Sequence, residues 1–178
     1  SIHDIEHATL RVAPDSTYKI YDALFGLEEG VITPQDSFIA WNGENYPFEA
    51  WNADQTLQSA MASSVNWYFQ SVDEQLASTN IYNYIQQIGY GNENVSGDLS
   101  TYWLESSLKI SPVEQVELLM KLQNNSLGFS SENINAVKDS ICLSSSNTGK
   151  FYGKTGTGRV GGQDVNGWFI GYIEIVNN

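Results

Sequence analysis

The last quarter of the chain constrains the fold most. Phe151–Thr157 and Gly167–Val176 are β-type runs, and the segment between them, Gly158–Asn166, holds three glycines. Two such runs around a turn-like segment predict a β-hairpin. Most of the regular structure before them reads as helix. From Ser16 onward Ile20, Leu24, Phe25 and Leu27 recur at helical spacing, with Asp15 or Ser16 as cap and Gly30 as stop. A second helical stretch runs from Ala53 to about Ala77, broken near Ser63-Ser64, and a third covers 79–88 and closes at Gly89. Residues 112–124 and 130–143 predict two more helices, started by Ser111-Pro112-x-Glu114 and by Ser130-Ser131-Glu132. At the other end, Ala8–Val12 reads as a short strand stopped by Pro14. Residues 33–53 are loop-like yet carry Trp41, Phe48 and Trp51, which predicts a loop packed down on the body. The order, helices and then a hairpin, belongs to a mixed α/β (α+β) domain.

Composition narrows the function classes. The 178 residues carry 21 acidic and 8 basic side chains, a net charge of −13. Such a surface repels nucleic acid, and no basic cluster offsets it. Cys142 is the single cysteine, so no internal disulfide can form, and its apolar neighbours predict a small buried hydrophobe. His3 and His7 lie near Asp4 and Glu6, but a solvated terminus accounts for them better than a metal site does. There is no apolar run of membrane-spanning length.

With few basic residues, individual lysines stand out. Ser16 and Lys19, three apart at a helix start, lie on one helix face. A desolvated lysine can lose its charge and take the serine's proton, and free N–H groups at the helix start can hold an oxyanion. Taken alone, a capping serine beside a surface lysine is the commoner arrangement. Lys154-Thr155-Gly156 lies on the first hairpin strand, where ammonium and hydroxyl can bind a carboxylate and the glycine admits close approach. Ser64-Val65-Asn66 sits at the helix break, where a serine and an amide can face a cleft or merely kink the helix. Each motif is weak by itself. In this order, Ser-x-x-Lys, Ser-x-Asn and Lys-Thr-Gly form the set described for penicillin-recognising serine enzymes.

Further residues carry a closer resemblance. Tyr18, Tyr46-Pro47-Phe48 with Trp51-Asn52, Ser64–Phe69, Tyr90-Gly91-Asn92, Trp103-Leu104-Glu105, Lys109-Ile110-Ser111 and Lys154–Gly158 resemble the extracellular sensor domain of BlaR1/MecR1-type β-lactam receptors. The related class D (OXA-type) β-lactamases share most of them. The resemblance runs from about Arg11 to Tyr172. It implies a β-lactamase/transpeptidase-like fold: an antiparallel sheet flanked by helices, with a mainly helical lobe. It also implies one penicillin-binding domain over 1–178, truncated at both ends, with terminal strands missing and an incomplete sheet.

The resemblance also implies roles. Ser16 is the residue acylated by a β-lactam, Lys19 the base, Ser64 a proton relay, and Lys154 and Thr155 the carboxylate holders beside Gly156. The backbone N–H groups of Ser16 and Thr157 form the oxyanion hole. No metal or other cofactor is implied, apart from CO2-derived N-carboxylation of Lys19, with Trp103 hydrogen-bonding the carbamate. Asn66 stands where class D lactamases usually have Val, and an amide there favours loss of CO2 after acylation and a persistent acyl-enzyme. The expected function is therefore a sensor acylated in stoichiometric fashion. A class D lactamase is the alternative, and a transpeptidase-like protein acting on peptidoglycan peptides is the second. The expected setting is the extracellular face of a bacterial, Gram-positive membrane, reached through segments outside this chain, or secretion.

Overall fold

A computed structural model describes residues 2–175 of the chain. Seven α-helices precede a three-stranded antiparallel sheet among these residues: α1 (Ile5–Thr9), α2 (Lys19–Glu28), α3 (Leu57–Ala62), α4 (Asn66–Gln75), α5 (Ser78–Ile88), α6 (Pro112–Gln123) and α7 (Ser131–Ser140). The strands β1 (Cys142–Ser146), β2 (Gly149–Val160) and β3 (Gln163–Ile175) lie in the order β1-β2-β3.

The expected hairpin forms and is longer than its apolar runs. β2 and β3 pair from Gly149–Ile175 up to Val160–Gln163, so the turn is confined to Gly161-Gly162. Both glycines have positive φ (58° and 80°), which a two-residue turn matched to strand twist requires. Backbone pairing carries the ladder through the polar residues 158–166. Val176, the expected end of the second strand, lies outside the described residues.

Three expectations change. Ala8–Val12 is not a strand. Asp4 accepts hydrogen bonds from the N–H groups of Glu6 and His7 and starts α1, and only Val12 pairs, in an isolated bridge with Ile110. The helix expected over 130–143 stops at Ser140, because Cys142–Ser146 pairs with the start of β2. Cys142 is therefore a half-buried strand residue rather than a fully buried one. Finally, neither Asp15 nor Ser16 caps α2. Asp15–Thr17 form a 3₁₀ turn that runs into α2 without a side-chain cap.

The core sits between α2, α4, α5, α6 and α7 and one face of the sheet. α2 is buried along nearly its whole length, including Ile20, Leu24 and Phe25. A helix buried on all sides can occupy the centre of a domain this size. α6 begins with the expected capping box, in which Ser111 and Glu114 satisfy each other's backbone N–H groups. Arg11 adds a bidentate bond to the same glutamate, which holds the Glu114 carboxyl at about 2. Gly89 ends α5 with φ at 69°, as expected. Trp51 packs against Tyr46 and donates its indole N–H to the Ser63 carbonyl, so the 33–53 loop lies on the body, while Phe48 stays exposed.

Candidate active site

Three segments meet around a cavity of about 700 Å³. Ser16 comes from the 3₁₀ turn, Ser64 and Asn66 from the break between α3 and α4, and Thr155, Gly156 and Thr157 from β2. Phe48, Trp51 and Leu104 supply the apolar walls, and Arg159 and Asp164 sit on the hairpin.

The turn that carries Ser16 is held on both sides of it. Asp15 adopts a positive φ of 48°, a conformation a non-glycine residue keeps only under outside constraint. The constraints are visible. The Asp15 N–H donates to the Trp103 carbonyl at 3.1 Å. Asn166 and Trp168 of β3 donate to the Ala13 carbonyl at 2.9 and 2.8 Å, and Asn166 also reaches Asp15. Thr17 donates to the Pro14 carbonyl, and Gln115 of α6 donates to Thr17. Burial, reinforced by Glu105, raises the Asp15 carboxyl to about 7. Gly156 works against the same turn: a Cβ there would stand 3.1 Å from the Pro14 carbonyl oxygen and 3.3 Å from the Ser16 nitrogen. The glycine therefore lets β2 close on the nucleophile turn. Sequence reasoning had it admit a ligand.

The break that carries Ser64 is equally constrained. Ser64 has φ at 52°, and the Val65 N–H turns back to the Ala60 carbonyl. This reversal aims Ser64 and Asn66 into the cavity, with Val65 buried behind them.

Lys19 is the centre of the arrangement. It is fully buried and donates to Ser16 Oγ at 2.7 Å and to Asn66 Oδ1 at 2.6 Å. Burial, helped by the nearby Lys154, holds its ammonium well below the ordinary lysine range, against the pull of Asp22 and Asp15. A neutral amine in hydrogen-bond contact with a serine hydroxyl is a general base in position. Lys154 is also buried, and donates to Ser64 Oγ and to the Thr155 carbonyl. Burial lowers it to about 8. Lys154 and Thr155, adjacent on a strand, point to opposite faces. Thr155 lines the cavity directly, and Lys154 reaches it through Ser64.

Two features escaped sequence reasoning. Behind Lys19 lies a pair of fully buried carboxylates, Asp22 on α2 and Asp73 on α4. Both are raised, chiefly by burial, Asp22 also by Asp73. Tyr102 donates to Asp73 Oδ1 at 3.0 Å, and the Trp103 indole donates to Asp73 Oδ2 at 3.1 Å. The one polar hint was an aspartate at helical spacing among core residues, a signal that single sequences share with solvated faces.

The second feature corrects the role expected of Trp103. Its N–H, the donor the resemblance nominates for a carboxylated Lys19, is already bonded to Asp73. What Trp103 turns to Lys19 is its ring face, with Nζ 4.4 Å from the centroid. That face attracts a cation and repels an anion. The residues around Lys19 therefore fit an amine or ammonium and do not fit a carbamate. Among the described residues no group of metal-ligating side chains occurs either, and His7 is bonded to Asp4.

The comparisons with known proteins bear on the family and the fold. Residues 4–178 match the family model described as the penicillin-binding protein transpeptidase domain. The regulatory protein BlaR1 of Bacillus licheniformis is 47% identical over the whole chain, which spans 30% of that protein's length. The C-terminal domain of the Bacillus licheniformis BlaR penicillin-receptor superposes with a TM-score of 0.91 at 45% identity, over 98% of this chain and 70% of that one. The class D β-lactamase BAT-2 superposes at 0.92 with 35% identity, over 99% of this chain and 74% of that one. The fold is thus β-lactamase/transpeptidase-like, and a serine-lysine pair, a serine-asparagine break and a Lys-Thr-Gly strand converge on one cavity in a chain that belongs to the penicillin-binding protein transpeptidase-domain family.

Proposed function

We propose that the chain is a single penicillin-binding domain that senses β-lactam antibiotics by becoming acylated at Ser16 and holding the adduct. Unmodified Lys19 takes the Ser16 proton as Oγ bonds the lactam carbonyl carbon. Backbone N–H groups of Ser16 and Thr157 receive the developing oxyanion. The lactam C–N bond breaks, and Ser64 gives its proton to the ring nitrogen and is resupplied by the Lys154 ammonium that donates to it, so Lys19 keeps the proton it took from Ser16. Thr155, backed by Lys154, holds the drug's carboxylate. Such a domain acts on the outer face of a Gram-positive membrane, linked to segments outside this chain, where acylation signals the induction of resistance.

The observation that carries the sensor reading is the bond from Lys19 to Asn66 Oδ1 at 2.6 Å. Once Lys19 has taken the serine's proton it is an ammonium, and Asn66 stabilises that form. A lysine kept as ammonium cannot activate the water needed to hydrolyse the ester. The adduct then persists, as a receptor requires. The closeness of class D lactamases at TM-scores above 0.9 supports a second reading, in which the ester is hydrolysed.

Intact-mass measurement after addition of penicillin separates the two. The sensor reading expects one equivalent of adduct that survives removal of free drug, and none in Ser16→Ala. A transient adduct with continuing nitrocefin turnover establishes the lactamase instead.

A further inference from the structure

We propose that Asp73 is the positioning residue that keeps Lys19 free of CO2, by drawing the Trp103 indole N–H away from it. This deepens the sensor reading and rests on it, because an uncarboxylated Lys19 is what leaves the adduct in place.

The case begins with balance at the lysine. Carboxylation joins the Lys19 amine nitrogen to the carbon of dissolved CO2. One C–O π pair moves to oxygen and the amine proton leaves to solvent. A neutral group becomes an anion inside a fully buried pocket. Such an anion survives only if hydrogen-bond donors face it. Trp103 is the large donor-bearing side chain beside Lys19, and its donor points elsewhere. The indole N–H meets Asp73 Oδ2 at 3.1 Å while the ring face lies over Nζ at 4.4 Å. Turned this way, Trp103 withholds a donor and also sets its negative π face against the position the new carboxylate would take.

Asp73 is itself firmly anchored, so Trp103 is not free to rotate back. Its other oxygen accepts from Tyr102, whose hydroxyl is 2.6 Å from that of Tyr18, and Tyr18 stacks on Trp103. Asp22, with both oxygens buried and unpartnered, lies on the Lys19 helix next to this network. Two carboxyl groups already share the dry space behind Lys19. A carbamate would have to be desolvated beside them. The Trp103 face and Asn66 suit instead the ammonium that Lys19 becomes once it has taken the Ser16 proton.

The test uses the purified protein with 13C-bicarbonate and needs no drug. In the parent, 13C NMR should show little or no lysine carbamate. Asp73→Leu removes the acceptor, frees the indole N–H and keeps a helix-compatible side chain; carbamate occupancy should rise at least about fivefold. Asp73→Asn keeps an oxygen for Trp103 but removes the charge, and should give a smaller rise. With penicillin, the Asp73→Leu adduct should be lost at least about tenfold faster, and faster still with added bicarbonate, a dependence that general loosening of the structure would not produce. Parent protein already carrying full carbamate overturns the proposal. So does unchanged occupancy in a folded Asp73→Leu variant. If that variant does not fold, unchanged occupancy in Asp73→Asn overturns it equally. Failure of the parent to form an adduct overturns the sensor reading alone, because the carbamate comparison is made without drug.

Discussion

Lys154 shows how much a single buried charge can be asked to do. It sits behind the cavity wall, bonded to Ser64, and burial lowers it to about 8. Its ammonium is therefore complete near neutrality and disappears as pH rises through about 8. A drug carboxylate stays ionised throughout, so the attraction between them is lost on the alkaline side only. The second-order acylation rate should fall above pH 8, approaching about tenfold per pH unit, while Thr155→Ser retains the same profile. A flat profile from pH 7 to 9 would remove Lys154 from carboxylate recognition. At this scale the sequence was informative about the motif residues and silent about the acids packed behind them. Ser16, Lys19, Ser64, Asn66, Lys154 and Thr155 could be picked out because motif spacing exposes them. The Asp22–Asp73 pair could not, since nothing in a linear pattern distinguishes a buried aspartate from a solvated one.

Elements position these residues through close approach. The 3₁₀ turn at Asp15–Thr17 is gripped by β2 at Gly156 and by β3 through Asn166 and Trp168. In Gly156→Ala the new methyl meets the Pro14 carbonyl and the Ser16 nitrogen, both backbone atoms that cannot swing aside. The turn must shift by a few tenths of an ångström. Acylation should slow at least about tenfold, with a modest loss of stability, because geometry at a nucleophile is felt more strongly in rate than in folding. An acylation rate within twofold of the parent would show that the turn has slack. The long helices and the hairpin were legible from periodicity and from Gly, Pro and Ser punctuation. Two short elements were not. α1 depends on one aspartate cap, and β1 exists only because β2 lies beside it, a partnership no local pattern encodes.

The molecule as a whole carries buried acids whose protonation favours folding. Asp15 is raised from 3.8 to about 7, and Asp22 and Asp73 are raised with it. The folded state therefore binds more protons than the unfolded chain between those values. Stability from these groups is full below about pH 4 and is lost as pH rises through about 7. Glu114 runs the other way, but its contribution fades only between 4.5 and about 2. The melting temperature should peak in mild acid near pH 5 and drop by roughly 3–8 °C by pH 7.5. A melting temperature that climbs over this interval would mean that the buried acids are ionised throughout. The net charge of −13 acts in the same direction, since self-repulsion grows as the remaining carboxyls ionise. Across the sheet, Phe169, Ile173 and Ile175 of β3 stay exposed, in a chain that spans 70% of the solved BlaR domain it matches.

The stacking of Trp103 on Lys19 also makes the pocket an optical instrument. Of the five tryptophans, Trp103 alone is completely shielded from water, and its ring face lies 4.4 Å from the Lys19 nitrogen. When Ser16 gives its proton to that nitrogen, a unit positive charge appears against an indole that no solvent can screen. Emission from Trp103 then reports the internal electric field, and drug recognition becomes readable as light, with no label added to the protein.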